Sequence, residues 1–252
     1  MDRKKVGIFV SVYSRLEAFK NCMDSLLDSD LSNHDVAIFV GFNGIYKEAE
    51  NYIQSVHKIV TTNTPIKFHT FVPNANIGKG KLINLMSSYC KNLDFLVSVD
   101  GDVKFVCPQW LDLMMESYYA AEDKGLKIAA LAPMIQGHDV HIFGQGCDVV
   151  KELSNKFHFV HRDDNATAGP LFFIPFDIWH NFGGYKAHRI YASDDGHFCS
   201  KALDLDYLVG MIPEISIFHP YDHDEKYIDW KARAAKCELK DDEKGGYYEQ
   251  NT

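Results

Sequence analysis

The most constraining feature of this 252-residue chain is an apolar run at residues 95–99 that ends in Asp100-Gly101-Asp102. A short Val-rich run of this kind predicts a β-strand that is buried on both faces, as in parallel sheets. In open α/β sheets, ligands bind at the carboxyl ends of the strands, which is where these two aspartates stand. Side chains alternate along an extended segment, so both carboxylates point to one side, and the glycine between them lets the backbone turn.

Two hard oxygen ligands on one side of a strand suit Mg²⁺ or Mn²⁺ carrying phosphate. Two familiar alternatives do not fit the sequence: an EF-hand loop needs another oxygen donor at Lys104, and a phosphatase of the Asp-x-Asp type normally has Gly-Thr where Val103 and Lys104 stand. A solvated turn after the strand is the remaining alternative, because aspartate and glycine are common in turns. The strongly apolar strand favours the metal site.

The rest of the chain alternates between short apolar runs and segments of helical periodicity. Strands are predicted at residues 6–12, 36–42, 66–72, 128–133, 171–174, 208–212 and 215–218. This alternation predicts an α/β fold with a mostly parallel central sheet and helices on both faces. The looser, polar stretch 136–168 predicts a substrate-facing elaboration rather than a second domain.

The length is that of one large domain, which we place at residues 1–235, followed by a charged tail at 236–252. The formal charge of −9 disfavours nucleic acid or an anionic membrane as the main partner, because such binding depends on a positive field. The six cysteines show no C-x-x-C spacing, which is typical of free thiols in a reducing compartment. We therefore expect a cytoplasmic protein.

The apolar run at residues 6–12 has basic residues before it, as in a signal peptide, but it is short and continues directly into charged sequence. We interpret it as the first strand. No other stretch approaches the ~20 apolar residues of a membrane helix, so we expect no transmembrane segment.

Histidines supply further candidate ligands. His219 ends an apolar strand, as the aspartate pair does, so it is either a metal ligand or a core histidine bonded to backbone. His138/His141 and His158/His161 have spacings found in zinc sites, but neither pair has a visible third ligand. We interpret these four as surface or acceptor-site histidines.

The loop at residues 76–81 is neither a P-loop nor a dinucleotide motif, because Ile83 occupies the position of the third glycine. Two interpretations stay open. The loop either presents backbone N–H groups and Lys79 to a donor's phosphates at the start of a helix, or forms a turn with two surface lysines.

Asp194 and Asp195 stand immediately before a helical segment. One carboxylate is enough to cap the helix, which leaves its neighbour available as a general base. The proximity of the two charges is expected to raise one of the two pKa values.

The order of these motifs resembles that of a family 2 glycosyltransferase with a GT-A fold. The matching segments are residues 10–13, Asn76-x-Gly78 with Asn84, Asp100-Gly101-Asp102, residues 169–173, residues 182–185, Asp194-Asp195 and His219. The similarity extends over nearly the whole chain to about Trp230. Where the family usually has a Glu-Asp pair, this chain has Asp194-Asp195.

The resemblance implies a metal-dependent, inverting transfer of a sugar from a nucleotide-sugar to an acceptor hydroxyl. By this resemblance, Asp102 would bind Mn²⁺ or Mg²⁺, and Asp100 would contact the cation or the donor ribose. His219 would be a further metal or diphosphate contact. Asp195 would be the catalytic base, with Asp194 as its partner in the acid pair.

The resemblance and the residue types together give candidates for the two substrate sites. The donor-site candidates are Ser11, Tyr13, Asn43, Asn76, Gly78, Lys79, Asp100 and Gly101. The acceptor-site candidates are His158, Gly169, Trp179 and Tyr185. The chain lacks the family's usual Pro-Thr-Tyr-Asn at the end of strand one, and Asn43 stands where the family often has an aspartate.

Several functions remain as alternatives. A glycan, lipid-linked or protein acceptor is the ordinary case for the family, and a nucleic acid base, as in some phage enzymes, is the less common one. A sugar nucleotidyltransferase normally has a glycine-rich phosphate loop after strand one, and residues 13–17 contain no glycine. A non-catalytic sugar- or nucleotide-binding module has no need of an acidic pair.

Overall fold

A computed structural model describes residues 3–13, 15–43, 47–137, 148–165, 167, 169–186, 190–191, 194–220, 225–236 and 238. His138 and His141 lie outside the described residues, as does most of the predicted tail at 236–252.

A ten-stranded mixed sheet forms the centre of the molecule. Its strands are β1 (Lys5–Val12), β2 (Asp35–Phe42), β3 (Lys67–Phe71), β4 (Phe95–Asp100), β5 (Lys104–Phe105), β6 (Ile128–Gln136), β7 (Asp148–Glu152), β8 (His158–Arg162), β9 (Leu171–Pro175) and β10 (Leu208–Phe218). The strand order is β3-β2-β1-β4-β9-β6-β10-β8-β7, with β5 paired to β10. In the described part of the chain, only β5, β8 and β9 run against the common direction.

Seven helices among the described residues surround this sheet. They are α1 (Leu16–Leu27), α2 (Lys47–Asn63), α3 (Lys79–Ser88), α4 (Trp110–Asp123), α5 (Phe176–Phe182), α6 (Asp194–Asp204) and α7 (Glu225–Ala235). None of them combines the length and the apolar character that crossing a membrane requires. The predicted α/β architecture, a mostly parallel sheet with helices around it, is confirmed.

The alternation of side chains along the strands creates two apolar cores, one on each face of the sheet. On β1, Ile8 faces the core that contains α1, α2 and α4, whereas Phe9 faces the core that contains α3, α5 and α6. Trp110 of α4 and Phe198 of α6 are among the large buried side chains of the two cores. Burial of each such side chain contributes roughly 1.5–3 kcal/mol.

One expectation about the later strands is wrong. The strands predicted at 208–212 and 215–218 are the single strand β10, because its register against β6 shifts between Ile212 and Ser216 while the pairing continues. Such a bulge interrupts the alternation of side chains, and the sequence pattern therefore suggests a turn. The stretch 136–168 contains the antiparallel pair β7–β8, which lies at the edge of the sheet.

Asn84 of α3 fixes the turn that follows α5. Its Nδ2 donates to the Tyr185 carbonyl at 2.8 Å, and its Oδ1 accepts from the Tyr185 N–H at 2.9 Å. Gly184 has a φ of +71°, and a Cβ there would lie 2.4 Å from Asn84 Oδ1, so both the conformation and the space favour glycine. This contact connects two elements that are far apart in the sequence.

We expect Asn84→Ala to lower the free energy of unfolding by about 1–3 kcal/mol, because both backbone groups of Tyr185 lose their side-chain partner. Urea unfolding measures this loss. Ser88→Ala, at an exposed position of the same helix, is the matched control. Equal urea midpoints for the two variants would show that the Asn84 contacts do not stabilise the turn.

Candidate functional site

A cavity of about 380 Å³ lies at the carboxyl ends of β1, β4 and β10. The predicted site residues that line it are Ser11, Tyr13, Lys79, Asp100, Gly101, Asp102, Asp194, Asp195 and His219. Its volume is within the range of ligand-binding pockets. The sheet therefore brings together side chains from both ends of the chain at the edge where α/β folds bind ligands.

Asp100, Asp102 and His219 form a group that can hold a metal ion. One ligand atom from each lies within 4.8 Å of the others, and His219 Nε2 is 3.1 Å from Asp102 Oδ1. His219 is placed by its N–H, which donates to the Gln136 carbonyl at 2.9 Å at the end of the β6–β10 pairing. Two carboxylates suit Mg²⁺ or Mn²⁺, and the imidazole nitrogen suits a transition metal better than Mg²⁺.

Gly101 determines how the two aspartates are presented. Its N–H donates to the Ser11 carbonyl at 2.9 Å, so the backbone of the turn lies directly against the end of β1. A Cβ at this position would lie 2.7 Å from the same oxygen. Only glycine allows this close approach without a shift of the backbone.

Both aspartates of the group form ion pairs with basic side chains. Arg15 Nη1 lies 3.2 Å from Asp102 Oδ2, and Lys79 Nζ lies 2.5 Å from Asp100 Oδ1. Lys79 Nζ also donates to the Gly169 carbonyl at 2.8 Å. The candidate metal ligands are therefore already neutralised by the protein's own cations.

The pKa values of Asp100 and Asp102 shift in opposite directions. Burial raises the pKa of Asp100 above its usual range, although Lys79 acts in the opposite direction. Burial also acts to raise the pKa of Asp102, but the hydrogen bond and charge of His219, with Arg15 and Lys231, hold it below its usual range. Burial lowers the pKa of His219, but its contact with Asp102 outweighs that effect and raises it.

Asp194 and Asp195 lie in the first turn of α6, rather than before the helix as the sequence predicted. Asp195 Oδ2 accepts from the Gly169 N–H at 3.2 Å, and its Oδ1 accepts from the Gly196 N–H at 2.9 Å. Asp194 is only 9% exposed, and this burial, with the charges of Asp195 and Asp100, raises its pKa to about 6. The expected rise in one of the two pKa values therefore falls on Asp194.

An aromatic group forms one wall of the cavity. The rings of Tyr13 and Trp230 meet edge to face at 5.2 Å, and Asn76 Nδ2 donates to the Tyr13 hydroxyl at 2.5 Å. Trp230 and Ala234 of α7 form a small apolar cluster with Tyr13 that is separate from the two main cores. Tyr191 also lines the cavity, with Lys231 Nζ 5.5 Å from its ring centre.

Several residues that line the cavity were not predicted from the sequence as site residues. These include Arg15, Tyr191, Trp230 and Lys231. Arg15 lies between the end of β1 at Val12 and the start of α1 at Leu16, so its position near the carboxyl edge of the sheet was a usable signal. The helical pattern of α7 predicts a buried face for Trp230, but it does not predict which part of the molecule that face contacts.

Some donor-site candidates lie behind the cavity rather than on its lining. Asn76 Oδ1 accepts from the Gly78 N–H at 3.0 Å, so this pair supports the Tyr13 ring and the start of α3. Asn43 is 3% exposed, and within the described part of the chain neither polar atom of its amide has a hydrogen-bond partner.

The acceptor-site candidates need correction. Trp179 is 3% exposed in the core beside Phe198, and its indole N–H donates to Ser87 Oγ at 3.1 Å. Tyr185 is also buried in this core, since the turn after α5 directs both aromatic rings inward. We therefore assign both residues to the core.

The other two acceptor-site candidates lie in different places. His158 begins β8, where its Nδ1 is 2.7 Å from Glu214 Oε1, and it is not among the residues that line the cavity. Gly169 lies between Lys79 and Asp195, because its carbonyl accepts from Lys79 and its N–H donates to Asp195.

Comparisons with solved structures identify similar folds. A mannosyltransferase from Pyrobaculum calidifontis in complex with GDP-Man and Mn²⁺ has a TM-score of 0.68 and 12% sequence identity, covering 93% of this chain and 64% of that one. GalNAc-T7 with UDP, GalNAc and Mn²⁺ has a TM-score of 0.67 and 13% identity, covering 87% and 44%. TarS of S. aureus in complex with UDP-GlcNAc has a TM-score of 0.64 and 12% identity, covering 88% and 60%.

These likenesses show that the chain has the GT-A fold, as the sequence motifs predicted. The chain spans less than two thirds of the length of each of these three structures. No protein-family model matches the sequence, and no curated protein matches it significantly.

We expect the burial of Asp194 to reduce stability at neutral pH. Because its pKa is raised on folding from 3.8 to about 6, the folded state binds more protons than the unfolded state between these values. The contribution of Asp194 to stability is therefore most favourable below about pH 4, falls as the pH rises through 6 and stays lower above it. Asp194→Asn should remove this penalty and add up to about 2 kcal/mol at pH 7.5.

Melting temperatures in the presence of EDTA, measured between pH 4 and pH 8, test this expectation. The advantage of Asp194→Asn should amount to several degrees at pH 7.5 and shrink towards pH 4. Asp204→Asn, at an exposed position of the same helix, is the control and should show no such trend. If Asp194→Asn is no more stable than the parent at pH 7.5, the raised pKa of Asp194 in the folded protein is contradicted.

Proposed function

We propose that the chain is a metal-dependent glycosyltransferase that moves a sugar from a nucleotide-sugar to an acceptor hydroxyl. The observation that carries this proposal is the placement of two acidic groups on one cavity of a GT-A fold. Asp100, Asp102 and His219 form one group, and Asp194 with Asp195 forms the other. Proteins of this fold have been solved with nucleotide-sugars or nucleotides and Mn²⁺, which supports the same ligands here.

The donor's diphosphate is expected at the aspartate–histidine group. Asp102 and His219 would hold Mn²⁺ or Mg²⁺, with Asp100 as a further ligand or as a contact to the ribose. A bound divalent cation would supply Lewis-acid stabilisation of the negative charge that develops on the leaving diphosphate. Ser11, Tyr13 and Gly101 line the same cavity and are proposed to contact the nucleoside and its phosphates.

The nucleoside base is proposed to lie between Tyr13 and the end of β2. The ring of Tyr13 is fixed by Asn76 on one side and Trp230 on the other, so it offers a rigid apolar surface. Asn43 remains our candidate for the base contact, since a buried amide without partners among the described residues is costly.

Asp195 is proposed as the general base for the acceptor hydroxyl. It lines the cavity, and two backbone N–H groups orient its carboxylate. A hydroxyl is a poor nucleophile at neutral pH, so removal of its proton during the attack lowers the barrier. Direct attack from the side opposite the diphosphate would invert the anomeric centre.

The acceptor is proposed to be the hydroxyl of a glycan, a lipid-linked sugar or a protein, which is the ordinary case for family 2 glycosyltransferases.

The cytoplasm is proposed as the compartment. Cys22, Cys90, Cys107 and Cys199, the cysteines among the described residues, are all free, and this supports a reducing environment.

We expect Asp102→Ala to abolish the Mn²⁺-dependent part of UDP or GDP binding and to leave the fold intact. The variant loses a candidate metal ligand together with its contacts to Arg15 and His219, so its melting temperature is measured alongside to establish that the folded protein is compared. Isothermal titration calorimetry with each nucleotide, with and without Mn²⁺, measures the effect. Asp123→Ala, at an exposed position of α4, is the control, and unchanged affinity in Asp102→Ala would show that the metal binds elsewhere.

Asp195→Asn keeps the size of the side chain but cannot accept a proton. We expect kcat for release of the nucleotide from a nucleotide-sugar donor to fall by about 10²–10⁴-fold, with donor affinity nearly unchanged. Asp194→Asn should lower kcat less. If Asp195 only stabilises the start of α6, its variant should instead lose about 0.5–2 kcal/mol of stability and keep a normal rate per folded molecule. Measuring both the rate and the melting temperature on one preparation decides between these roles.

A further inference from the structure

Part of the central sheet is exposed where β6 and β10 end. On β6, Ala132 belongs to the core that contains α6, so by alternation Met134 and Gln136 lie on the same face of the sheet. On β10, their register partners Ser216 and Phe218 share that face. Met134 is 44% exposed and Phe218 is 39% exposed. We call Met134, Gln136, Ser216 and Phe218 the exposed β6–β10 face.

The exposure follows from the different lengths of a helix and a strand with the same number of residues. α6 packs on β10 and is joined to it by a short turn, so the end of α6 at Ala202 and the start of β10 at Val209 lie in the same core. Each element has 11 residues, which span roughly 16 Å in a helix and roughly 36 Å in a strand. α6 therefore covers about half of β10, and its first turn, with Asp195, lies at the border of the uncovered half.

The exposed β6–β10 face adjoins the candidate base. Asp195 contacts Gly169, where a Cβ would lie 2.8 Å from the Asp195 Cβ. Gly169 stands two residues before β9, and β9 is the neighbour of β6 in the sheet. The antiparallel register of these two strands, continued to the end of β6, brings the segment before β9 alongside Met134. Since neighbouring strands lie about 4.8 Å apart, Met134 is one strand spacing from this segment and Phe218 is two.

The ring of Phe218 is supported at the edge of the cavity. A Cβ on Gly137 would lie 2.7 Å from this ring, so the ring rests on the glycine backbone at the end of β6. His219, the next residue, lines the cavity, and its N–H donates to the Gln136 carbonyl at 2.9 Å. The exposed β6–β10 face is therefore continuous with the candidate site, and a molecule whose hydroxyl lies at Asp195 can extend over it.

The residue types on this face suit a saccharide. Phe218 and Met134 offer apolar surface to the C–H groups of a sugar ring, which removes apolar area from water. Gln136 Nε2 donates to Ser216 Oγ at 3.0 Å, which leaves the amide oxygen, a second amide N–H and the hydroxyl proton for the sugar's hydroxyls. Lys104 of β5, the register partner of Phe218, adds an ammonium group on the same side. A lipid chain would cover these polar groups without offering them hydrogen bonds, which is costly.

We propose that the exposed β6–β10 face binds the acceptor, and that this acceptor is a saccharide of two or more units. The sugar that carries the reacting hydroxyl lies at Asp195, and the neighbouring sugar packs on Phe218 and Met134. The inference rests on the proposed function and names its acceptor class. The transfer is unchanged: the acceptor oxygen bonds to the anomeric carbon, the diphosphate leaves with the electrons of the broken bond, and Asp195 takes the hydroxyl proton.

The test uses an array of immobilised mono- and oligosaccharides as the probe, with Mn²⁺ and either UDP or GDP present. Vesicles that contain a polyprenyl phosphate and an array of unfolded peptides are measured in parallel. We expect the parent protein to bind an oligosaccharide at least about 10-fold more tightly than its terminal monosaccharide, because only the longer ligand reaches Phe218. Binding to vesicles or peptides but to no saccharide, equal binding of the two saccharide lengths, or no binding to any of the three probes overturns the proposal.

Variants of the two apolar residues test which surface the saccharide contacts. Phe218→Ala should weaken oligosaccharide binding by about 5–10-fold, and Phe218→Leu should lose nearly as much because it keeps apolar volume without a flat ring. Phe218→Tyr keeps the ring and should retain the affinity. Met134→Ala should weaken binding by about 3-fold, since less apolar surface is buried. Ile59→Ala, which removes a 60% exposed apolar side chain from α2, is the matched control and should leave binding as it is.

Nucleotide affinity, measured by calorimetry with Mn²⁺, separates this inference from the proposed function. If the parent protein binds neither UDP nor GDP, the proposed function itself fails. If it binds a nucleotide but neither Phe218→Ala nor Met134→Ala alters saccharide binding, only the acceptor assignment is overturned. If Phe218→Ala weakens nucleotide and saccharide binding equally and Met134→Ala weakens neither, the ring only supports the neighbouring His219, and the proposal is again overturned. Melting curves on every variant establish that the folded protein is compared.

Discussion

The site depends on the partly buried ammonium group of Lys79. From the first turn of α3 it reaches the end of β4 through Asp100 and the start of β9 through the Gly169 carbonyl. The Gly169 N–H in turn donates to Asp195, so one short path joins the candidate metal ligands to the candidate base. Three segments that are distant in sequence are thereby fixed at one edge of the sheet. Without a positive charge at this point, Asp100, Asp194 and Asp195 would repel one another in a partly buried cavity.

The arrangement shows how the fold accommodates carboxylates that do not favour stability. Burial and neighbouring acids raise the pKa of Asp194, so its ionised form is disfavoured in the folded protein. The two extensive apolar cores on either face of the sheet offset such a local cost. Residues that oppose stability and lie together in a cleft are typical of functional sites, because structural needs alone give no reason to retain them.

The residues whose positions the sequence predicts best are those at strand ends. An apolar run that stops at a carboxylate or an imidazole fixes both the strand and the edge of the sheet, which is why Asp100, Asp102 and His219 meet as expected. The sequence does not predict that Trp179 lies in the core, because a residue near a turn can point either way and only the packing of α5 decides. Lys231 was not predicted because its closeness to Asp102 depends on contacts between segments that are distant in the sequence.

The wall of the cavity that α7 forms packs separately from the two main cores. Trp230 and Ala234 pack on Tyr13 in a cluster of their own, outside the two cores that stabilise the sheet. Substitutions on the inner side of this helix can therefore alter the shape of this side of the cavity without creating voids beneath the strands. This wall of the cavity can therefore change its shape through one helix, while the strands that carry the acidic groups keep their packing.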